Sequence, residues 1–175
     1  MPATTTVIET PRLILRPFHP VDDVADFQRI YGDPLTMAHM NGAKTPEAAR
    51  LSVERKAAKW ATQGYGLWCV VDKAGGQTIG HCGLDLLEPL GEVECAYLID
   101  RPFWGQGLAT EAVKASIAFG FERLGLTRII AISEPENPAS MAVMAKAGMV
   151  QEGPVTVWGR PFICWVITLG AESPP

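Results

Sequence analysis

Basic residues are few in this 175-residue chain: 15 lysines and arginines stand against 19 aspartates and glutamates, a formal net charge of −4. Nucleic-acid binders carry a basic excess that neutralises phosphates, so no nucleic-acid partner is expected. Long apolar runs are missing too. The most apolar late stretch, Phe162 to Leu169, is far short of a bilayer-spanning helix, and no membrane partner is expected. The opening MPATTTVIETPRLILRP has no basic start followed by an apolar core, which argues against a signal peptide. Cysteine is scarce and never forms a CxxC pair: Cys69, Cys82, Cys95 and Cys164 each lie in an apolar, strand-like run. Buried free thiols occupy such places, and a reducing cytoplasm fits them. Repeats, low-complexity tracts and linkers are absent, so residues 1–175 read as one domain. The chain is 47% hydrophobic, enough for a full core and too much for disorder.

What is present is regular punctuation. LILRPF (13–18) reads as a strand, followed by a helix through VDDVADFQRIYGD. Thr45-Pro46-Glu47 opens a second helix, with Thr as N-cap, Pro at the first helical position and an acid in the first turn; it closes near Gly64. Strands are expected at 67–71, 78–87 and 93–99, joined by turns at 73–76 and 88–91. The period then changes. From Ala109 to Leu124, the residues Ala112, Val113, Ile117, Phe121 and Leu124 share one helical face. A strand at 128–133, a short helix from Asn137 to Lys146 closed by Gly148, and strands at 155–158 and 162–169 around a turn at Gly159-Arg160-Pro161 complete the chain. The result is an α/β fold with a mixed sheet. Its one strand–helix–strand crossover makes 93–99 and 128–133 parallel neighbours.

Between those two strands lies Tyr97-Leu98-Ile99-Asp100-Arg101-Pro102-Phe103-Trp104-Gly105-Gln106-Gly107-Leu108-Ala109-Thr110, a strand running through a glycine turn into a helix. Small residues there let main-chain N–H groups approach a ligand, and the helix start adds unpaired donors and a positive dipole end. Such a turn suits an anion, a pyrophosphate above all; the alternative is a helix start made small for tight packing. The Walker A Gly-Lys-Ser/Thr is absent, and the dinucleotide fingerprint GxGxxG would need glycine where Thr110 stands.

The stretch FWGQGLATEA, followed by ENPASMAVMAKAGM, resembles the GNAT superfamily of acetyl-CoA-dependent N-acetyltransferases, closest to the branch of ribosomal-protein N-terminal acetyltransferases. The resemblance runs from TPRLILRPF to Gly148-Met149. Gly107 and Ala109 match the small positions of the family turn, while Trp104 stands where the family has Gln or Arg. The resemblance implies a mostly antiparallel twisted sheet of about seven strands flanked by about four helices, with a V-shaped splay between the central parallel strands. It places the pantetheine arm of acetyl-CoA against the main chain of Tyr97, Leu98 and Ile99. The pyrophosphate falls on the turn formed by Trp104, Gly105, Gln106, Gly107, Leu108, Ala109 and Thr110. No metal is implied.

Direct transfer to an amine needs a neutral nucleophile, a stabilised oxyanion and a proton for the departing thiolate. Deprotonating an α-amine at pH 7 costs about 1.4 kcal/mol, a lysine amine about 4.6 kcal/mol. Glu94 is the candidate base: related enzymes commonly hold a carboxylate on this strand, and alternation puts Glu92, Glu94 and Ala96 on one face with Cys95 and Tyr97 on the other. The alternative is a pair of solvated edge charges. Asn137 reads as an N-cap before Pro138, and the resemblance also turns its side chain toward the pantetheine arm or a catalytic water. Ser140 is the candidate proton donor to the thiolate, or else an ordinary first-turn serine. Both also belong to the expected acetyl-CoA contacts. The oxyanion falls to a main-chain N–H near Leu98. Cys95 is a poor nucleophile, facing away with no histidine near it in sequence. His39, in the MAHMNG loop, is a loop residue or an acceptor contact. His81 and His19 read as a satisfied strand histidine and a turn residue.

The expected activity is acetyl transfer to a primary amine, favouring a protein or peptide N-terminal α-amine. A small-molecule acceptor (amino acid, polyamine or aminoglycoside) and a non-catalytic acyl-CoA sensor are the alternatives. A homodimer through the C-terminal strands is a further expectation.

Overall fold

The structure, a computed structural model, describes residues 6–170. Residues 1–5 and 171–175, part of the expected domain, lie outside the described residues. Eight strands form one sheet: β1 (Ile8–Glu9), β2 (Leu13–Arg16), β3 (Leu67–Asp72), β4 (Thr78–Leu87), β5 (Glu92–Ile99), β6 (Arg128–Ser133), β7 (Val150–Val157) and β8 (Arg160–Thr168). The helices are α1 (Val24–Gly32), α2 (Pro46–Gln63), α3 (Leu108–Glu122) and α4 (Pro138–Lys146), with a 3-10 turn at Arg101–Phe103. Strand order is β1-β2-β3-β4-β5-β6-β8-β7. Every pairing is antiparallel except β5 with β6, as the crossover predicts. No helix among the described residues is long and apolar enough to cross a membrane.

The α2 start forms as its cap residues dictate: Thr45 accepts from the Ala48 N–H at 3.2 Å, Pro46 takes the first position, and Gly64 closes the helix in the left-handed region. The α1 start slips instead. Asp23 turns its carboxylate onto Arg16 (2.6 and 2.9 Å) and the His19 N–H (2.7 Å), so 21–23 form a turn and the helix begins at Val24.

Three further corrections concern strands. The two-residue β1 was not expected and pairs with β2 through Ile8 and Glu9. β7 begins at Val150, five residues earlier than read, because Gly153-Pro154 sits beside a register shift within the strand rather than ending it. The final turn is Trp158-Gly159, both at positive φ (51° and 72°), with Val157 opposite Arg160. Pro161 is therefore in β8, where it faces β7 beyond the end of β6 and no ladder bond to β6 is lost.

The core has a layer on each face. Trp68, Val70, Cys82, Leu84, Cys95 and Ile99 pack with Ala112, Val113, Ile117 and Phe119 of α3. On that helix Phe119, stacked edge-on against Trp68 at 4.9 Å, is buried, whereas Phe121 and Leu124 are only partly so. The opposite face carries Phe18, Phe27, Ile30, Tyr31, Val53, Cys69 and Leu98 beneath α1 and α2. All four cysteines are free and buried, as expected.

Candidate active site

The parallel pair registers at one position, Glu94 with Ile130. Beyond it β5 keeps its full ladder with β4, and β6 keeps its ladder with β8, while the two strands no longer pair with each other. A V-shaped opening follows. The Asp100 N–H donates to the Ile79 carbonyl at 2.7 Å. Antiparallel alternation then spends the peptide groups of Leu98 and Ala96 on β4 and turns those of Tyr97 and Ile99 into the opening. The Leu98 N–H is thus turned away from the splay, toward β4. The Ile99 carbonyl is already taken: the Trp104 indole N–H donates to it at 2.6 Å, which braces the end of β5.

The turn after β5 has the form an anion cradle needs. Gly105 and Gly107 lie at φ 74° and 76°, a conformation disfavoured for side-chain-bearing residues. α3 starts at Leu108, so the N–H groups of Leu108, Ala109 and Thr110 lie in its first turn without intrahelical partners. Sequence reasoning missed Arg12. Its guanidinium donates to the Gln106 carbonyl at 2.7 Å and pairs with Glu111 at 2.7 Å, while Thr10 donates to the same carboxylate at 2.5 Å. The acid of the first helical turn is thereby neutralised, and a cation stands beside the cradle. These donors fit the diphosphate and amide-bearing arm of coenzyme A.

Glu94 and Tyr97 point to opposite faces, as strand alternation predicts. Glu94 lies on the α1–α2 side, opposite Asp85 in register. Burial, with the Asp85 charge adding and Lys59 opposing, pushes its carboxyl up to about 7. Asp85 itself is paired with Lys59 of α2. On the α3–α4 side, Tyr97 reaches across the splay: its hydroxyl lies 2.7 Å from Ser140 Oγ and donates to the Ser140 carbonyl at 3.0 Å. Asn137 caps α4, its Oδ1 accepting from the Ser140 N–H at 3.1 Å, which fixes Ser140 at the mouth of the helix. Truncating the phenol tests this pairing: Tyr97→Phe should lower kcat by about 10- to 100-fold with little change in the KM for acetyl-CoA, checked by steady-state thiol release.

The remaining candidates are engaged elsewhere in the structure. Cys95 is buried against Cys82, and that contact together with desolvation drives its thiol well above the ordinary range, leaving no thiolate. His81 is buried, held neutral by desolvation, and hydrogen-bonded to the Tyr31 hydroxyl at 2.9 Å. His19 accepts from the Asp22 N–H at 3.1 Å in its turn. His39 meets Glu134 at 2.7 Å, and Glu134 also receives Arg160, which holds Asn41. Thr36 contacts Asp100 at 3.4 Å. The segment 33–42 therefore crosses from the end of β5 to the end of β6, over the open side of the splay.

Residues 12–150 match the family model described as an acetyltransferase (GNAT) domain. The protein YkkB of Bacillus subtilis (strain 168) is 30% identical over 158 residues, spanning 89% of this chain and 92% of its own. Among solved structures, a GNAT-family acetyltransferase from Bacillus anthracis is 25% identical with a TM-score of 0.80, covering 93% of this chain and 98% of its own. A ribosomal L7/L12 α-N-protein acetyltransferase in complex with coenzyme A shares the fold at TM-score 0.78 and 17% identity, over 95% of this chain and all of its own.

Proposed function

The chain belongs to the GNAT acetyltransferase family, and we propose that within it the protein moves the acetyl group of acetyl-CoA directly onto the N-terminal α-amine of a protein or peptide. The observation that carries the acceptor is the carboxyl of Glu94, poised at about 7. An α-amine titrates near 8, so transfer of its proton to Glu94 is uphill by about 1.4 kcal/mol. A lysine amine would be uphill by more than about 4 kcal/mol. The fold of ribosomal-protein acetyltransferases supports the same reading.

Each chemical demand then has its residue. Glu94 takes the ammonium proton, directly or through water, on the α1–α2 side of the splay. The main-chain N–H of Tyr97 or Ile99 faces the developing oxyanion. As the carbon–sulfur bond breaks, the thiolate takes a proton from Ser140 Oγ, and the serine regains one, through water, from the nitrogen that has just bonded to the acetyl carbon; the Tyr97 hydroxyl holds Ser140 in place on the other side. Glu94 and the Tyr97–Ser140 pair lie on opposite sides of β5, so the amine approaches from one side and the thiol leaves on the other. Buried free cysteines fit a cytoplasmic setting, and the outer edge of β7 offers a surface for a homodimer.

The test is thiol release from acetyl-CoA over a panel of free N-terminal peptides, N-terminally blocked lysine peptides, amino acids, polyamines and aminoglycosides. Free N-termini should show the highest kcat/KM, by about tenfold or more over blocked lysine peptides. A small amine at the head of the panel, or binding without turnover on any acceptor, would overturn the reading.

A further inference from the structure

Two lysines on the α1–α2 face have no carboxylate within ion-pair distance among the described residues. Lys56 of α2 donates to Ser52 Oγ at 2.7 Å and lies over the rings of Tyr31 (5.3 Å) and Phe18 (5.8 Å). Lys44, just before α2, lies over the same Tyr31 ring at 6.0 Å. Both are partly buried. The groups in contact with them, the Ser52 and Tyr31 hydroxyls and the buried His81, are neutral, while Arg55 and Lys59 add like charge around Lys56 and Asp85, itself paired with Lys59, is the opposing one. Two like charges thus border one ring with no carboxylate paired to either, in a chain whose net charge is −4.

Their position relative to Glu94 follows from the fold. Lys59, one turn further along α2, pairs with Asp85, and Asp85 stands opposite Glu94 in register. Lys56 thus stands one helical turn along α2 and one strand spacing across the sheet from Glu94, a backbone path on the order of 10 Å. The α1–α2 face of the sheet therefore carries a carboxyl able to take an amine proton and, along the same helix, two ammonium groups with no paired carboxylate.

We propose that Lys56 and Lys44 form an anion-recognition subsite that selects amine acceptors bearing a carboxylate, namely peptides with an acidic residue at the second or third position. This rests on the N-terminal acceptor proposed above. An extended peptide advances about 3.5 Å per residue, so an acidic side chain one or two residues after the α-amine spans the gap. Burial and the neighbouring Lys44 hold the Lys56 ammonium down to about 8, and a carboxylate bound beside it offsets that penalty.

The experiment compares kcat/KM for acidic, neutral and basic peptides of one length, with free aspartate and glutamate as a further arm, in wild type, Lys56→Gln and Lys44→Gln. The acidic peptide should exceed the neutral one by about tenfold or more, and each substitution should bring that ratio toward one. Lys44 precedes the helix, so its variant reads the subsite even if Lys56→Gln folds poorly. Turnover of peptides without an acidic preference, or with a preference both variants keep, overturns the subsite and leaves the N-terminal reading standing. A lysine-dependent preference confined to the free amino acids supports the anion subsite and overturns the peptide as its source. Turnover on no acceptor ends the N-terminal reading and the subsite with it.

Discussion

Glu94→Gln lowers kcat/KM about 10²- to 10³-fold and removes the limb of the pH profile that titrates at about 7, leaving only the rise that the amine acceptor itself contributes near 8. The sign follows from the environment of the carboxyl. Burial raises it, the Asp85 charge raises it further, and Lys59 only partly opposes, so it titrates at about 7. Below that pH the wild-type base is protonated, and kcat/KM falls toward tenfold per unit of pH. A glutamine cannot titrate, and the limb belonging to residue 94 disappears. The same change removes a charge that burial disfavours, so stability at neutral pH is expected to hold or rise. Rate profiles of both proteins across neutral pH, with melting curves as a control on folding, check each part. Superimposable profiles would remove Glu94 from the chemistry.

Gly107→Val raises the KM for acetyl-CoA about 10- to 100-fold. Gly107 sits at φ 76° as the residue before α3, and its carbonyl receives the Glu111 N–H at 3.1 Å. A β-branched residue at that dihedral costs on the order of 1–3 kcal/mol, which the turn relieves by rotating its peptide planes. Each 1.4 kcal/mol lost from the bound state is about tenfold in affinity. Space is not the limiting factor, since the nearest neighbour of an added Cβ is Arg12 Nη2 at 3.5 Å. The effect therefore comes from the aim of the amides. Steady-state kinetics with acetyl-CoA varied at saturating acceptor separate this from a loss of kcat.

Legibility in the sequence tracked how local each feature is. β4 and β6 begin and end at the residues their flanking turns and apolar runs indicate, because each boundary is written within a few residues. The cradle was legible for the same reason: it is main chain, and its glycines and helix start are contiguous. What escaped depends on partners far along the chain. Tyr97 was placed on its face by alternation, yet its hydroxyl partner Ser140 is 43 residues away across the splay. Arg12 reaches a carboxylate 99 residues on. Leu98 illustrates a finer limit: alternation of side chains was read, but which peptide groups face the opening depends on the ladder register with β4. Gly153-Pro154 misled because such a pair usually ends a strand, and here it marks an irregularity inside β7.

Calorimetric titration of acetyl-CoA into the wild-type and Gly107→Val proteins is the most direct check that the open strands and the turn beside them receive this donor. One molecule bound per chain, with affinity reduced about 10- to 100-fold by the valine, is the predicted result. A wild-type protein shown to be folded that releases no heat with acetyl-CoA over a range of temperatures, or equal affinity in both proteins, would contradict it.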